Sequence, residues 1–227
     1  MALTDEAIDK IKDMITSGEL GPGDRLPKEA DLAERLGLSR NSLREAVRAL
    51  TLARILEARQ GDGTYVTSLE PSMLLEPLTF MAEFHQDRTL LQVLEVRRIL
   101  EAATAALAAQ YITDAELAQL RRVVEEMDAC ETVEAFVAND LEFHRLIGVA
   151  SRNPVLASVL DSFSTPMSRA RVWRGVTQAN AIDQTKAQHA ALYEALAHHR
   201  PDIARAVATA HVAGVESWLE STLDAPG

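Results

Sequence analysis

The tightest constraint in this 227-residue chain is the two-residue link Gly37-Leu38 between two amphipathic stretches. Upstream, Glu29 follows Pro27 and suits the first turn of a helix, and Leu32, Ala33 and Leu36 form its apolar stripe. Gly37 stands where a helix ends, and Ser39 is a good N-cap for the next one. Downstream, Leu43, Val47 and Leu50 fall within about 60° of one another on a helical projection. Two helices joined this closely cannot lie side by side in a long bundle. They must cross and share one small core, which is the helix-turn-helix arrangement. Residues 3–18 add a preceding helix, with the stripe Leu3, Ala7, Ile8, Ile11, Met14 and Ile15, ended by Gly18 and the turn Gly21-Pro22-Gly23-Asp24.

The face opposite the stripe of the third helix carries Arg40, Asn41, Arg44 and Arg48. Arginine and asparagine match guanine and adenine edges in the major groove, and arginine also clamps phosphates. Ser39 and Ser42, near the helix start, are placed to reach phosphates or bases. The competing reading is a solvated face in which Glu45 pairs with Arg48. The next segment favours DNA. Residues 55–59 read as a strand, Gln60-Gly61-Asp62-Gly63 as a tight turn, and residues 64–66 as the return strand. A hairpin directly after such a helix is a wing, whose glycine tip can approach a neighbouring minor groove. The net charge of −11 hides a local reversal: residues 35–60 hold six arginines against Glu45 and Glu57. Acidity elsewhere would discourage non-specific sticking to the phosphate backbone.

With 47% hydrophobic but only 4% aromatic residues, the chain has the makings of packed helices and of one or two domains. Cys130 is its only cysteine, which excludes an internal disulfide and fits a reducing cytosol. Cys130 itself reads as a small residue near a helix end. The opening residues lack a signal-peptide pattern, and no apolar run is long enough to span a bilayer. A cytoplasmic location without a membrane partner is therefore expected.

The fold expected is mainly α: a winged helix-turn-helix over residues 1–67, a linker over 68–77 with Ser68, Pro71, Ser72 and Pro77, and an all-α bundle over 78–227. Helical stripes dominate from Leu78 onward. Breaks at Thr113-Asp114, Asn153-Pro154, Gly175 to Asn180 and Arg200-Pro201 divide the bundle into six or seven helices.

Several polar residues in this bundle fall on apolar stripes. Asp140 and His144 lie one turn apart on the stripe of Val133, Val137 and Ile147. His189 shares a stripe with Ile182 and Tyr193, and His211 shares one with Val207, Gly214 and Trp218. Buried imidazoles and carboxylates need partners. Either the four satisfy one another, or they share a divalent metal. His198 and His199 read as helix-end residues, and His85 as another.

The run from Leu26 to Val66 resembles the winged-helix domain of GntR-type regulators. It does so through Leu26-Pro27-Lys28-Glu29, Leu32 to Arg40, Leu43-Arg44-Glu45-Ala46 and Gly61 to Val66. The resemblance implies operator contacts from Arg40, Asn41, Ser42 and Arg44, with Gln60 and Gly61 at the wing tip. Ala30 and Arg54 depart from the family pattern, where an arginine and a glycine are usual. The second part resembles the FCD effector domain of the FadR-like branch, through Glu95 to Glu101, Asp140 to His144, Asn153 to Leu156, His189 and His211.

That resemblance implies a divalent metal held by Asp140, His144, His189 and His211; the donor set suits zinc, nickel or manganese. It implies a repressor that binds a near-palindromic double-stranded operator as a homodimer, controlled by a small organic acid. Arg97 is then a candidate to hold the acid, unless it simply pairs with Glu101, and Asn153 is a further pocket candidate. Two alternatives are a regulator that senses the metal itself and a metal-dependent hydrolase fused to a DNA-binding module. Against the hydrolase, the nearest carboxylate expected to serve as a base is Glu142, which points off the inward stripe.

Overall fold

The computed structural model describes residues 3–71 and 88–224, and the chain divides into two units, Met1–Leu74 and Leu75–Gly227. Most of the expected linker, the helical start at Leu78 and His85 lie outside the described residues.

The first unit contains α1 (Leu3–Thr16), α2 (Glu29–Leu36), α3 (Arg40–Leu52), β1 (Leu56–Arg59) and β2 (Gly63–Val66). Its core gathers Ala7, Ile11 and Met14 from α1, Leu32 and Ala33 from α2, Leu43, Ala46 and Leu50 from α3, and Leu56 and Val66 from the hairpin. Leu3, expected on the α1 stripe, is instead 67% exposed, because the helix begins beyond the edge of that core. Gly37 closes α2 in the left-handed conformation (φ 66°), which lets the Leu38 amide donate to the Ala33 carbonyl at 2.9 Å. Ser39 Oγ then accepts from the Ser42 amide at 3.0 Å and starts α3. After α3 the same left-handed corner is made by Arg54 (φ 58°), the position where the family pattern has glycine. The strands pair antiparallel, with Leu56 opposite Val66 and Arg59 opposite Gly63.

The second unit contains α4 (Arg88–Tyr111), α5 (Asp114–Glu126), a 3₁₀ turn (Met127–Ala129), α6 (Val133–Ala150), α7 (Pro154–Ser162), α8 (Ser164–Thr177), α9 (Ala181–Ala197) and α10 (Pro201–Leu223). Seven α-helices among the described residues agree with the expected six or seven. Helices α4 and α10 pack against each other through small residues, including Ala105, Ala108, Ala204 and Ala208. Small contact residues let two helix axes come close. At the far end of α10, Trp218 meets Trp173 of α8 edge to face, with ring centroids 5.0 Å apart. No helix among the described residues is long and apolar enough to cross a membrane.

One side chain joins two corners of the bundle. Thr113 and Glu116 form a reciprocal capping box at the start of α5. Arg152, in the turn between α6 and α7, grips both Glu116 oxygens at 2.6 and 2.7 Å. The Arg152 bonds are the main reason the Glu116 carboxyl falls from its ordinary 4.5 to about 2; burial opposes them, and Thr113 adds to them. A depressed carboxyl stabilises the fold fully above its unfolded value and loses that contribution as pH falls through its folded one. Glu116→Gln should therefore cost about 1 kcal/mol at neutral pH, limited by partial exposure. The gap to wild type should close as pH drops from 4.5 toward about 2. Urea titrations at several pH values measure it, and a gap that does not change with pH would refute the account.

Candidate functional site

The arginine face of α3 stands in solvent. Arg40, Asn41, Arg44 and Arg48 are all exposed, while Leu43 and Leu50 are buried beneath them. Two of the arginines have acidic neighbours: Arg44 Nη2 lies 3.1 Å from Glu29 Oε2, and Arg48 Nη1 lies 3.4 Å from Glu45 Oε1. Exposed pairs of this kind contribute at most about 1 kcal/mol, so a phosphate or a guanine can displace them at little cost. Ser42 departs from the expectation. It is buried, with its hydroxyl 2.9 Å from that of Ser39, because residue 42 falls on the inner side of the first turn.

Gln60 and Gly61 are exposed at the wing tip. Tyr65 donates to Asp62 at 2.6 Å, and the Arg59 guanidinium lies 4.1 Å above the Tyr65 ring. Arg25, not anticipated from sequence, bridges to Tyr65 through its backbone and donates to the Asp62 carbonyl through its side chain. The wing is thus braced against the segment before α2.

In the second unit, Asp140 and His144 of α6, His189 of α9 and His211 of α10 converge. One ligand-type atom from each lies within 4.8 Å of all the others. The helical spacing of α6 stacks Asp140 and His144 on one face, and the apolar stripes of α9 and α10 turn their histidines toward it. His189 Nε2 is 3.3 Å and His144 Nε2 is 3.7 Å from Asp140 Oδ1. Phe143 stacks on the His189 ring at 3.9 Å and fixes its plane.

The outer nitrogens of His144 and His211 have partners. His144 Nδ1 lies 3.3 Å from Glu101 Oε2, and His211 Nδ1 lies 2.9 Å from Gln188 Oε1. These contacts favour the tautomers whose Nε2 lone pairs face inward. His144 Nε2, both nitrogens of His189 and Asp140 Oδ2 are buried without a hydrogen-bond partner. Arg171 Nε is 3.0 Å from Asp140 Oδ2, near enough for an ion pair but not aligned as a hydrogen bond. Orphaned buried atoms of two imidazoles and a carboxylate, with the His211 ring converging on them, are what a divalent cation would satisfy.

Electrostatics keep His189 and His211 neutral and the acids Asp140 and Glu101 ionised. Burial first, then His211, pushes His189 well below its ordinary value. Burial first, then His144, takes His211 down to about 3. Burial works against an ionised Asp140, yet Arg171 and His144 outweigh it and hold the carboxyl low. The same contest at Glu101 is won by Arg97, ahead of His144, and its carboxyl falls to about 2.

Arg97 and Asn153 sit differently from their expected roles in holding an acid. The Arg97 guanidinium is committed to Glu101, donating from Nε at 2.8 Å and from Nη2 to the same oxygen. Of the two readings of Arg97, the internal pair is the one built into the fold. Asn153 is exposed and caps α7, accepting from the Leu156 amide at 3.0 Å, because Asn-Pro starts a helix there. The expectation about nearby carboxylates is also corrected. Glu142 is tied to Arg145 at 2.6 Å, whereas Glu101 reaches the cluster from α4. Sequence reasoning missed Glu101 in this role, together with Gln188 and Arg171. Arg171 had a signal: it follows Met167 and Ala170 on the inward stripe of α8. A cavity of about 160 Å³ adjoins the cluster, lined by Arg97, Glu101, Thr104, His144, Leu192 and Ala208 among others.

Comparison with known proteins places both units. The family described as bacterial regulatory proteins, gntR family, matches residues 3–66, and the FCD domain matches residues 92–214. The transcriptional regulator LutR of Bacillus subtilis is 32% identical over 91% of this chain and 96% of its own length. The galactonate operon transcriptional repressor of Escherichia coli is 33% identical over 92% of this chain and 93% of its own. The solved structure of a Streptococcus agalactiae GntR protein superposes with a TM-score of 0.74 at 28% identity, covering 95% of this chain and 99% of that one. These relatives are regulators, not enzymes, which removes the hydrolase alternative. The chain belongs to the gntR family of bacterial regulatory proteins, in its FCD-domain branch, and is a DNA-binding transcriptional regulator.

Proposed function

We propose that this regulator is a repressor whose operator affinity is set by a small organic acid, bound beside a divalent metal inside the helical unit. The observation that carries the reading is the convergence of Asp140, His144, His189 and His211, with orphaned buried atoms on Asp140, His144 and His189, next to a cavity of about 160 Å³. That space suits a small acid. The four residues would hold zinc, nickel or manganese, and the ion would supply a Lewis-acidic anchor for an oxygen of the effector. Glu101 and Gln188 would fix the orientation of two ligand imidazoles. The name of the galactonate operon repressor supports both repression and an acid effector.

On DNA, two copies related by a two-fold axis would each present α3 to one half of a near-palindromic operator. Arg40, Asn41 and Arg44 would face base edges, Arg48 a phosphate, and Gln60 and Gly61 the flanking minor groove. The effector would favour the arrangement of the two reading heads that does not fit the operator. Linkage then requires operator DNA to weaken effector binding by the same factor.

Two experiments test these points. Elemental analysis should find about one divalent ion per chain in the wild type, the share a four-ligand site takes. It should find none in His189→Ala of unchanged helicity. Metal-free wild type after reloading would sink the metal reading. On an operator recovered by selection from random DNA, Arg44→Ala should weaken binding about tenfold or more. It should lose far less on random duplex. Equal loss on both would make Arg44 a phosphate contact and not a base reader.

A further inference from the structure

The four-ligand cluster separates two cavities that differ in charge. The larger one lies toward the C-terminal half of α6, from His144 to Val149, and its arginines are matched, Arg97 by Glu101 and Arg145 by Glu142. A smaller one, about 30 Å³, lies toward the N-terminal half of α6 and is lined by Val137, Asp140, Arg171, Arg174, Thr185 and His211 among others. Here two arginines from α8 face a single carboxylate.

Neither arginine has a carboxylate to itself. Arg171 has its Nε beside Asp140, but its Nη1 is buried without a hydrogen-bond partner. Arg174 is only 6% exposed and donates from Nε to Gln178 at 2.6 Å; no carboxylate among the described residues lies within ion-pair distance of it. Burial is the main influence on both, pushing each guanidinium below its ordinary value. A close approach holds them in place. A Cβ on Gly175 would stand 2.7 Å from Val133 Cγ1, so α8 lies against α6 only because that residue is glycine. An unpaired buried guanidinium is costly, and Asp140 is already shared with His144 and His189.

We propose that Arg171 and Arg174 form an anion subsite that takes one carboxylate group of a small organic acid. This rests on the reading that the helical unit binds an acid at the four-ligand cluster, and it places one carboxylate of that acid on the side of the cluster away from the larger cavity, where Arg97 is already committed to Glu101. The flat guanidinium fork matches a carboxylate in two parallel hydrogen bonds. The small volume fits a planar carboxylate head better than a bulkier tetrahedral phosphate.

The test is thermal melting of the full chain in acetate, succinate, phosphate or chloride at one ionic strength, with and without chelator. Wild type should be stabilised by the carboxylates over chloride, with phosphate weaker. Arg174→Met should melt no lower than wild type in chloride, since it removes an unpaired buried charge. It should lose the carboxylate response, equivalent to about tenfold or more in affinity. Arg174→Gln, which keeps a donor for Gln178, should lose the same response and guards against misfolding. A lower melting point for both variants in chloride would make Arg174 a framework residue and overturn the proposal. So would a full carboxylate response in either variant, no response in wild type, or phosphate acting more strongly. Metal content is measured on the same samples. An unchanged ion count with a retained response would defeat the subsite and leave the metal reading standing.

Discussion

The carboxylate of Asp140 is the contact on which the interior of the helical unit depends. It is 3% exposed, and Arg171, His144 and His189 approach it from α8, from its own helix and from α9. Removing one partner of a buried charge costs about 3–5 kcal/mol, whereas replacing the whole group with well-packed apolar side chains is often neutral or better. A fold selected for stability alone would have filled this space with leucines, as it does around Phe143, Ile147 and Leu192 a turn or two away. Polar groups at such a cost, with several valences unused, mark the region as built for something that arrives from outside.

The two units use the same side chain in opposite dielectric regimes. On α3, arginines lie in water, where each acidic neighbour is worth little and exchange is easy. In the bundle, Arg97, Arg171 and Arg174 lie out of water, where each contact weighs several times more. Surface arginines suit a head that must bind and release phosphates quickly. Buried arginines would suit the proposed pocket, where a small anion meets little competition from water.

What could be read from the sequence follows from what is local. The α2–α3 corner was legible because Gly37 and Ser39 determine it within a few residues. Asp140 and His144 were legible because one helix turn joins them, and His189 and His211 because each lies on an apolar stripe. Ser42 was misplaced because a serine in a first turn reads equally well as an outward contact or an inward cap partner. The break between α7 and α8 falls at Phe163, with no glycine or asparagine to mark it. Glu101 reaching His144 depends on how α4 lies against α6, a matter of helix packing that no local pattern encodes.

The contact between Trp173 and Trp218 has a consequence for how the molecule comes apart. The chain has only these two tryptophans, and both belong to the FCD unit, one on α8 and one on α10. Indole emission is therefore blind to the winged helix and follows the separation of those two helices alone. Far-ultraviolet ellipticity, by contrast, sums over every helix of both units. The two unfolding curves coincide where both units melt as one cooperative body, and a gap between them shows that the winged helix and the bundle come apart separately.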